Sequence, residues 1–247
     1  MVAQSRAIPV IVTRPSEQGA RFAKELQDQF GKAIDVIQSP LLAPQFLQPE
    51  IGPGPWTAVI FTSATAVRAL NLPDSAAAVL PRKAYCVGDQ TAESAREMGF
   101  DAVSAKGNAA ALCSLIRDTH VTGPLVHLRG EEALGEIAKV LNLEGIETQE
   151  AIVYREVAQT LSLKARVILA SDVPTILPVF SPRTGTILAR ELTSLPHLAP
   201  VLTVAISAGV ADTLDTIMAA HRIIARHPEA RYMLAAVAEA LIAAQAA

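Results

Sequence analysis

Short aliphatic and β-branched runs alternate along the chain with stretches of helical period. The strand-like runs are Ile8–Thr13, Ala58–Thr62, Ala84–Val87, Leu125–Leu128, Ile152–Tyr154, Thr175–Phe180 and Val201–Ile206. Most are apolar along nearly their whole length rather than at every second position. That pattern marks strands buried on both faces, as in a parallel sheet covered by helices. Between them Phe22, Leu26 and Phe30 recur every fourth residue, and Leu134, Ile137, Ala138 and Leu141 follow the i, i+3, i+4, i+7 pattern. Met233, Val237 and Leu241 repeat the same spacing near the end. The alternation predicts the α/β class. One run is irregular, because Pro174 and Pro178 flank and interrupt Thr175–Phe180. Proline cannot donate to a ladder, so an edge strand or a bulge is expected there.

The runs also repeat. Ala58-Val59-Ile60-Phe61-Thr62-Ser63 and Pro178-Val179-Phe180-Ser181-Pro182 each lead into a helical stretch, with Val67 and Leu70 in one and Ile187 and Leu188 in the other. Gly88 follows Phe61 by 27 residues, and Ser207 follows Phe180 by the same 27, which pairs Phe61 with Phe180. A second pair is Val10-Ile11-Val12-Thr13-Arg14 with Leu125-Val126-His127-Leu128-Arg129. Two pairs in one order imply a duplicated fold. If the first strand and helix of each half belong to the other lobe's sheet, the chain crosses twice, near Ser39–Pro44 and near Tyr154–Ala158. The run Pro49–Trp56 (PEIGPGPW) reads as a surface loop anchored by its tryptophan.

Composition narrows the class. At about 150 residues per domain, 247 residues make one large or two small domains. Hydrophobic residues are 51% and charged residues 18%, enough apolar material for a core and too little polarity for disorder. Aromatics are only 4%, so that core must be aliphatic. The formal net charge of −3 argues against a protein built to bind nucleic acid. Cys86 and Cys113 lack zinc spacing and sit among apolar neighbours, so both read as buried free thiols. The apolar run before Thr13 is too short for a signal peptide, and no stretch is long enough to span a membrane. A soluble, cytoplasmic protein is expected.

Open parallel sheets bind ligands beyond the carboxyl ends of their strands. Those ends carry Thr13-Arg14, Thr62-Ser63, Gly88, Arg129-Gly130, Ser181-Pro182 and Ser207. Hydroxyls, glycines and arginines dominate and carboxylates are nearly absent, which disfavours a metal or phosphoacceptor site. No GxGxxG, P-loop or HExxH occurs, which disfavours nicotinamide, nucleotide and metal chemistry. His127, inside an apolar strand, reads as a core histidine. Ser63 and Thr91 fall at expected helix starts, where a hydroxyl caps the helix and the free N–H groups suit an anion. Arg14 and Arg129 are either further anion contacts or members of structural ion pairs.

Taken together, Thr13-Arg14-Pro15, Phe61-Thr62-Ser63, Val87-Gly88 with Thr91-Ala92, Leu128-Arg129-Gly130, Val153-Tyr154-Arg155 and Phe180-Ser181-Pro182 resemble the uroporphyrinogen-III synthase family over almost the whole chain. The resemblance implies two similar α/β lobes, each a parallel sheet flanked by helices, joined by a two-stranded hinge with the active cleft between them. Residues 1–38 and 158–247 would form one discontinuous lobe, 45–152 the other, and 39–44 and 153–157 the hinge strands. It further implies that the linear tetrapyrrole hydroxymethylbilane is cyclised to uroporphyrinogen III. Water is lost, ring D is inverted through a spiro intermediate, and no cofactor is used. Carried over by motif, Tyr154 would donate to the departing hydroxyl. Arg14, Thr62, Ser63, Gly88, Thr91, Arg129, Ser181, Ser207 and Gly209 would hold the substrate. A monomer with a small-molecule substrate, and no nucleic-acid or membrane partner, is expected. One departure stands out: Gly209-Val210 occupies the last turn, where the family carries a threonine pair. Both an active synthase and a synthase-like protein that binds an acidic small molecule without turnover remain open at this point.

Overall fold

A computed structural model describes residues 7–48, 51, 54–71, 80–119, 123–132 and 136–246. Leu134 and much of the Pro49–Trp56 run lie outside the described residues. In chain order the elements begin β1 (Ile8–Val12), α1 (Ser16–Phe30), β2 (Ile34–Gln38), β3 (Leu42–Phe46), β4 (Ala58–Phe61), α2 (Ala64–Arg68) and β5 (Lys83–Cys86). There follow α3 (Asp89–Glu97), β6 (Asp101–Ser104), α4 (Ala109–Thr119), β7 (Leu125–Gly130), α5 (Ile137–Leu143) and β8 (Thr148–Ala158). The remainder is α6 (Leu163–Leu169), β9 (Thr175–Val179), α7 (Pro182–Thr193), β10 (Val201–Ala205), α8 (Ala208–Asp212), β11 (His221–Ile224) and α9 (Ala230–Ala246).

The strands form two sheets, in the orders β11-β10-β9-β1-β2 and β3-β8-β7-β4-β5-β6. Every neighbouring pair apart from β3 with β8 runs parallel. The bonds Leu47 N–H to Val153 O and Gln159 N–H to Leu41 O run in opposite directions along the chain, so β3 lies antiparallel to β8. The chain divides into two compact units, one made of the residues up to Ala43 with those from Ala158 onward, the other of Pro44–Val157. Aligning β9, β10, β11, β1 and β2 with β4, β5, β6, β7 and β8 makes the two sheet orders match, with β3 as an additional edge strand of the second sheet. One unit is therefore a circular permutation of the other, with the duplicated pattern intact.

Each sheet is packed on both faces. In the first unit Val10, Val12, Ile176 and Leu202 pack against Phe22 and Leu26 of α1 and Met233 and Val237 of α9. Ile11, Leu177, Val179 and Val201 face the other way, onto Ala165 of α6, Leu188 and Leu192 of α7 and Val210 of α8. In the second unit Val59, Phe61, Val126 and Leu128 meet Val67 of α2 and Ala92 and Ala95 of α3. Ala58, Ile60 and Leu125 meet Leu112 and Ile116 of α4 and Leu141 of α5. Burial on both faces is why these strands read as unbroken apolar runs. Both cysteines are buried and unbridged; burial pushes the Cys86 thiol up to about 12. Trp56 packs against the Val59–Phe61 cluster as an anchor. No helix among the described residues is long and apolar enough to cross a membrane.

Two expectations are corrected. The strand containing Pro178 lies at the centre of its sheet, between β10 and β1, not at an edge. Thr175 N–H donates to Pro200 O and Val179 O accepts from Ile206 N–H, so odd residues of β9 bond toward β10. Pro178 therefore turns its missing donor toward β1, where the registered pairing is confined to Val10 with Ile176. The pairing of Phe61 with Phe180 is also off by one. Phe61 ends β4 two residues before the capping Ser63, whereas Phe180 lies beyond β9 and one residue before the capping Ser181.

Candidate functional site

In each unit the strand order reverses its direction of winding at one point, between β4 and β7 in one and between β9 and β1 in the other. Such points are where open α/β sheets leave a crevice for ligands. Thr62, Ser63, Arg129 and Gly130 stand at the first, and Arg14, Phe180 and Ser181 at the second.

At the β4–β7 point Ser63 is the N-cap of α2. Its extended backbone lets Oγ accept from Ala66 N–H at 3.1 Å. The same oxygen lies 3.1 Å from Tyr154 Oη. Tyr154 reaches it through a β-bulge. The β7–β8 register pairs Arg129 with Ile152 but Gly130 with Tyr154, leaving Val153 as the extra residue. A bulge re-aims the side chains that follow it. Val153 and Tyr154 consequently both pack on the α2–α3 side, where strict alternation would have sent Tyr154 to the other face with Glu150. Room for the ring comes from Gly130, where a Cβ would lie 2.6 Å from Tyr154 Cζ.

Thr62 and His127 face the opposite side of the same sheet. His127 is buried and lies level with Ile60 and Glu150 in the ladder. Its Nε2 is 3.3 Å from Thr62 Oγ1, and its Nδ1 is 3.4 Å from Glu150 Oε1. Arg129 Nη2 pairs with Glu150 Oε2 at 3.0 Å, and Arg129 Nη1 donates to the carbonyls of Gly130 and Glu131. Arg129 thus belongs to a structural ion pair through its Nη groups, while its buried Nε has no hydrogen-bond partner among the described residues. Burial lowers the His127 pKa to about 4, against the raising effect of Glu150, so the imidazole is neutral near pH 7. His127 is accordingly a core histidine whose Nε2 meets Thr62, while its Nδ1 lies beside the Glu150 carboxylate with no hydrogen-bond partner among the described residues.

At the β5–α3 turn the structure corrects the placement of Thr91. The N-cap of α3 is Gly88, and Thr91 is the buried third residue of the helix. A Cβ at Gly88 would meet no atom within 4 Å, so its backbone borders open space.

At the β9–β1 point the Arg14 guanidinium lies 4.0 Å from the centroid of Phe180, whose ring meets Phe22 edge-on at 4.8 Å. Arg14 Nη2 donates to Gln18 Oε1 at 3.0 Å, while the buried Arg14 Nε has no hydrogen-bond partner among the described residues. Burial, helped by Arg21, lowers the Arg14 pKa. The neighbouring Thr13 Oγ1 is likewise buried without a hydrogen-bond partner among the described residues. Ser181 caps α7, accepting from Thr184 N–H at 3.1 Å and donating to Thr184 Oγ1 at 2.9 Å. Ser207 precedes α8 without a side-chain cap, and a Cβ at Gly209 would meet nothing within 4 Å.

The structure thus brings Ser63 together with Tyr154, and Thr62 with Arg129 through His127 and Glu150. Gly88 and Thr91 stand one strand away; Arg14 and Ser181 flank Phe180 in the other unit, with Ser207 and Gly209 at the next turn. Gly130, Glu150 and Phe180 were not expected in these roles. The only sequence signal for Gly130 was a glycine at a strand end. Among the described residues no group of three His, Cys, Asp or Glu side chains is placed to hold a metal ion.

Residues 10–235 match the family model of uroporphyrinogen-III synthase HemD. The fold is similar to the crystal structure of uroporphyrinogen-III synthetase from Helicobacter pylori 26695, with a TM-score of 0.57 and 18% identity over 94% of this chain and 99% of that one. A mutant uroporphyrinogen III synthase from the extremely thermophilic bacterium Thermus thermophilus aligns over 96% of this chain and 100% of its own, at 15% identity; its TM-score, 0.42, is too low to bear on the fold. No curated protein matches the sequence. With the family model spanning most of its length, the chain belongs to the uroporphyrinogen-III synthase family.

Proposed function

We propose that this chain converts hydroxymethylbilane into uroporphyrinogen III, closing the macrocycle with inversion of ring D and release of water. The observation that carries the reading, beside family membership, is the Tyr154 hydroxyl held 3.1 Å from the capping Ser63 at the β4–β7 point. A phenol so placed can pass its proton to the departing hydroxyl, which leaves as water. The proton lost from ring D when its aromaticity is restored balances that transfer. Because the bilane loses its hydroxyl readily, the protein's main task is to hold a flexible chain so that the substituted carbon of ring D attacks.

The substrate's carboxylates need donors rather than strong acids or bases. Gly88 and Thr91 stand at the start of α3, whose backbone N–H groups are of the kind that bind anions, and Ser181 brings a hydroxyl at the start of α7. Arg14, stacked on Phe180, supplies a cation. The open space at Gly209 leaves its backbone accessible to an anion without the hydroxyl that Gly209-Val210 lacks, so Ser207 and Gly209 remain usable for binding. Arg129 acts on this reading by holding Glu150.

The test is to add the purified protein to freshly generated hydroxymethylbilane and to separate the product isomers by chromatography. Formation of the type III isomer is expected. Only type I, the product of spontaneous closure, at every protein concentration would refute the reading and favour a protein that binds without turnover.

A further inference from the structure

We infer that Glu150 and His127 are positioning residues that fix the Thr62 hydroxyl as a hydrogen-bond acceptor, so that Thr62 receives an N–H group of the ligand and not a carboxylate. The carboxylate of Glu150 is the partner of Arg129 at 3.0 Å and accepts hydrogen bonds without giving any. Glu150 Oε1 is the charged atom beside His127 Nδ1, at 3.4 Å, and that buried nitrogen has no hydrogen-bond partner among the described residues. A lone pair on Nδ1 would stand beside the anionic carboxylate with no donor to offset it, so the ring proton resides on Nδ1. The imidazole is neutral near pH 7, which leaves Nε2 bare. Thr62 Oγ1, 3.3 Å away, can then bond to Nε2 only by donating. Both of its lone pairs remain for whatever binds at the end of β4.

This assignment rests on the proposed function for its ligand, since hydroxymethylbilane carries pyrrole N–H groups as well as carboxylates. A carboxylate would set oxygen lone pairs against those of Thr62, whereas a pyrrole N–H is complementary. Thr62 would therefore sort the substrate's ring nitrogens from its acid side chains, leaving the carboxylates to Arg14 and the helix starts.

The experiment is nitrogen NMR of the imidazoles in the 15N-labelled, ligand-free full chain near pH 7, with His127→Gln to assign the signal. The expected result is the Nδ1–H tautomer for His127, turning toward Nε2–H in Glu150→Gln, whose carboxamide can donate to Nδ1. A wild-type Nε2–H tautomer, or one unchanged in Glu150→Gln, overturns the proposal. With hydroxymethylbilane as probe, Thr62→Val should raise KM about tenfold, the weight of one hydrogen bond, with kcat little changed, and Thr62→Ser should restore it. Equal KM in wild type and Thr62→Val overturns the role of Thr62. If the wild type yields only the type I isomer, the proposed function fails, while the tautomer still decides the hydrogen-bond polarity of the Thr62 hydroxyl.

Discussion

Tyr154 lies so close over Gly130 that a Cβ on the glycine would stand 2.6 Å from Cζ and 2.8 Å from Oη. The bulge at Val153 turns the tyrosine to this face, and the bare glycine on the adjacent strand lets its hydroxyl reach Ser63. Gly130→Ala is therefore expected to push the ring aside and to break the bond to Ser63. Overpacking of this kind costs about 1–3 kcal/mol, which urea denaturation measures. Production of the type III isomer should fall alongside it. An unchanged stability and product ratio would remove the close approach from the site.

Tyr154→Phe separates the hydroxyl from the ring. The ring still packs beside Gly130, and the lost hydrogen bond to half-buried Ser63 is worth about 1 kcal/mol, so the melting temperature should change little. The rate of type III formation should fall by ~10²-fold or less, at the low end of general-acid effects, because the hydroxyl of the bilane leaves readily unaided. Substrate binding should stay near normal. An unchanged rate would take the tyrosine out of the chemistry; a large drop in melting temperature would make it a packing residue.

His127 gives a pH dependence of definite sign. Its folded pKa, lowered by burial to about 4, lies below the unfolded value of about 6.5. Between those values the unfolded chain binds the extra proton, so stability present above pH 6.5 is lost as the pH falls toward 4, by roughly 3 kcal/mol at most. Urea denaturation of wild type and His127→Gln at pH 7 and pH 5 checks this. The variant should lose less stability across that interval, and equal losses would contradict the buried neutral imidazole.

Two glycines of the first unit should respond in opposite ways to alanine. At Gly185 the new Cβ would stand 2.0 Å from Thr213 Oγ1, so Gly185→Ala should destabilise the packing of α7 on α8. At Gly209 it would meet nothing, and alanine favours a helix over glycine by up to about 1 kcal/mol. Gly209→Ala should therefore leave the melting temperature equal or higher. Any loss of bilane binding in that variant then reports the ligand and not the fold.

The strands legible in the sequence are the central ones. Val10, Val59, Val126, Ile176 and Leu202 sit in strands covered on both faces, so each run is apolar throughout. The four strands that escaped that reading, β2, β3, β6 and β11, are the edges of the two sheets. There Asp35, Gln45, Asp101 and Arg222 break the runs. In the site, Ser63 was legible as a cap because a hydroxyl at a strand-to-helix turn has a local partner, and Ser181 caps α7 in the same way. Gly88 took the cap expected of Thr91, since α3 begins at Asp89 and takes Asp89 and Gln90 into its first turn. The contact of Ser63 with Tyr154 spans 91 residues and depends on a bulge, for which the run Ile152-Val153-Tyr154 carries no distinguishing residue. The link from His127 to Glu150 depends on the β7–β8 register, which exists only once the sheet has formed.

The most direct measurement follows the isomer ratio from hydroxymethylbilane as the protein concentration is raised, since catalysed inversion competes with spontaneous closure. The expected result is a type III fraction that climbs toward completeness with wild-type protein and lags with Tyr154→Phe at equal concentration. A product that remains type I throughout would contradict the proposed synthase activity.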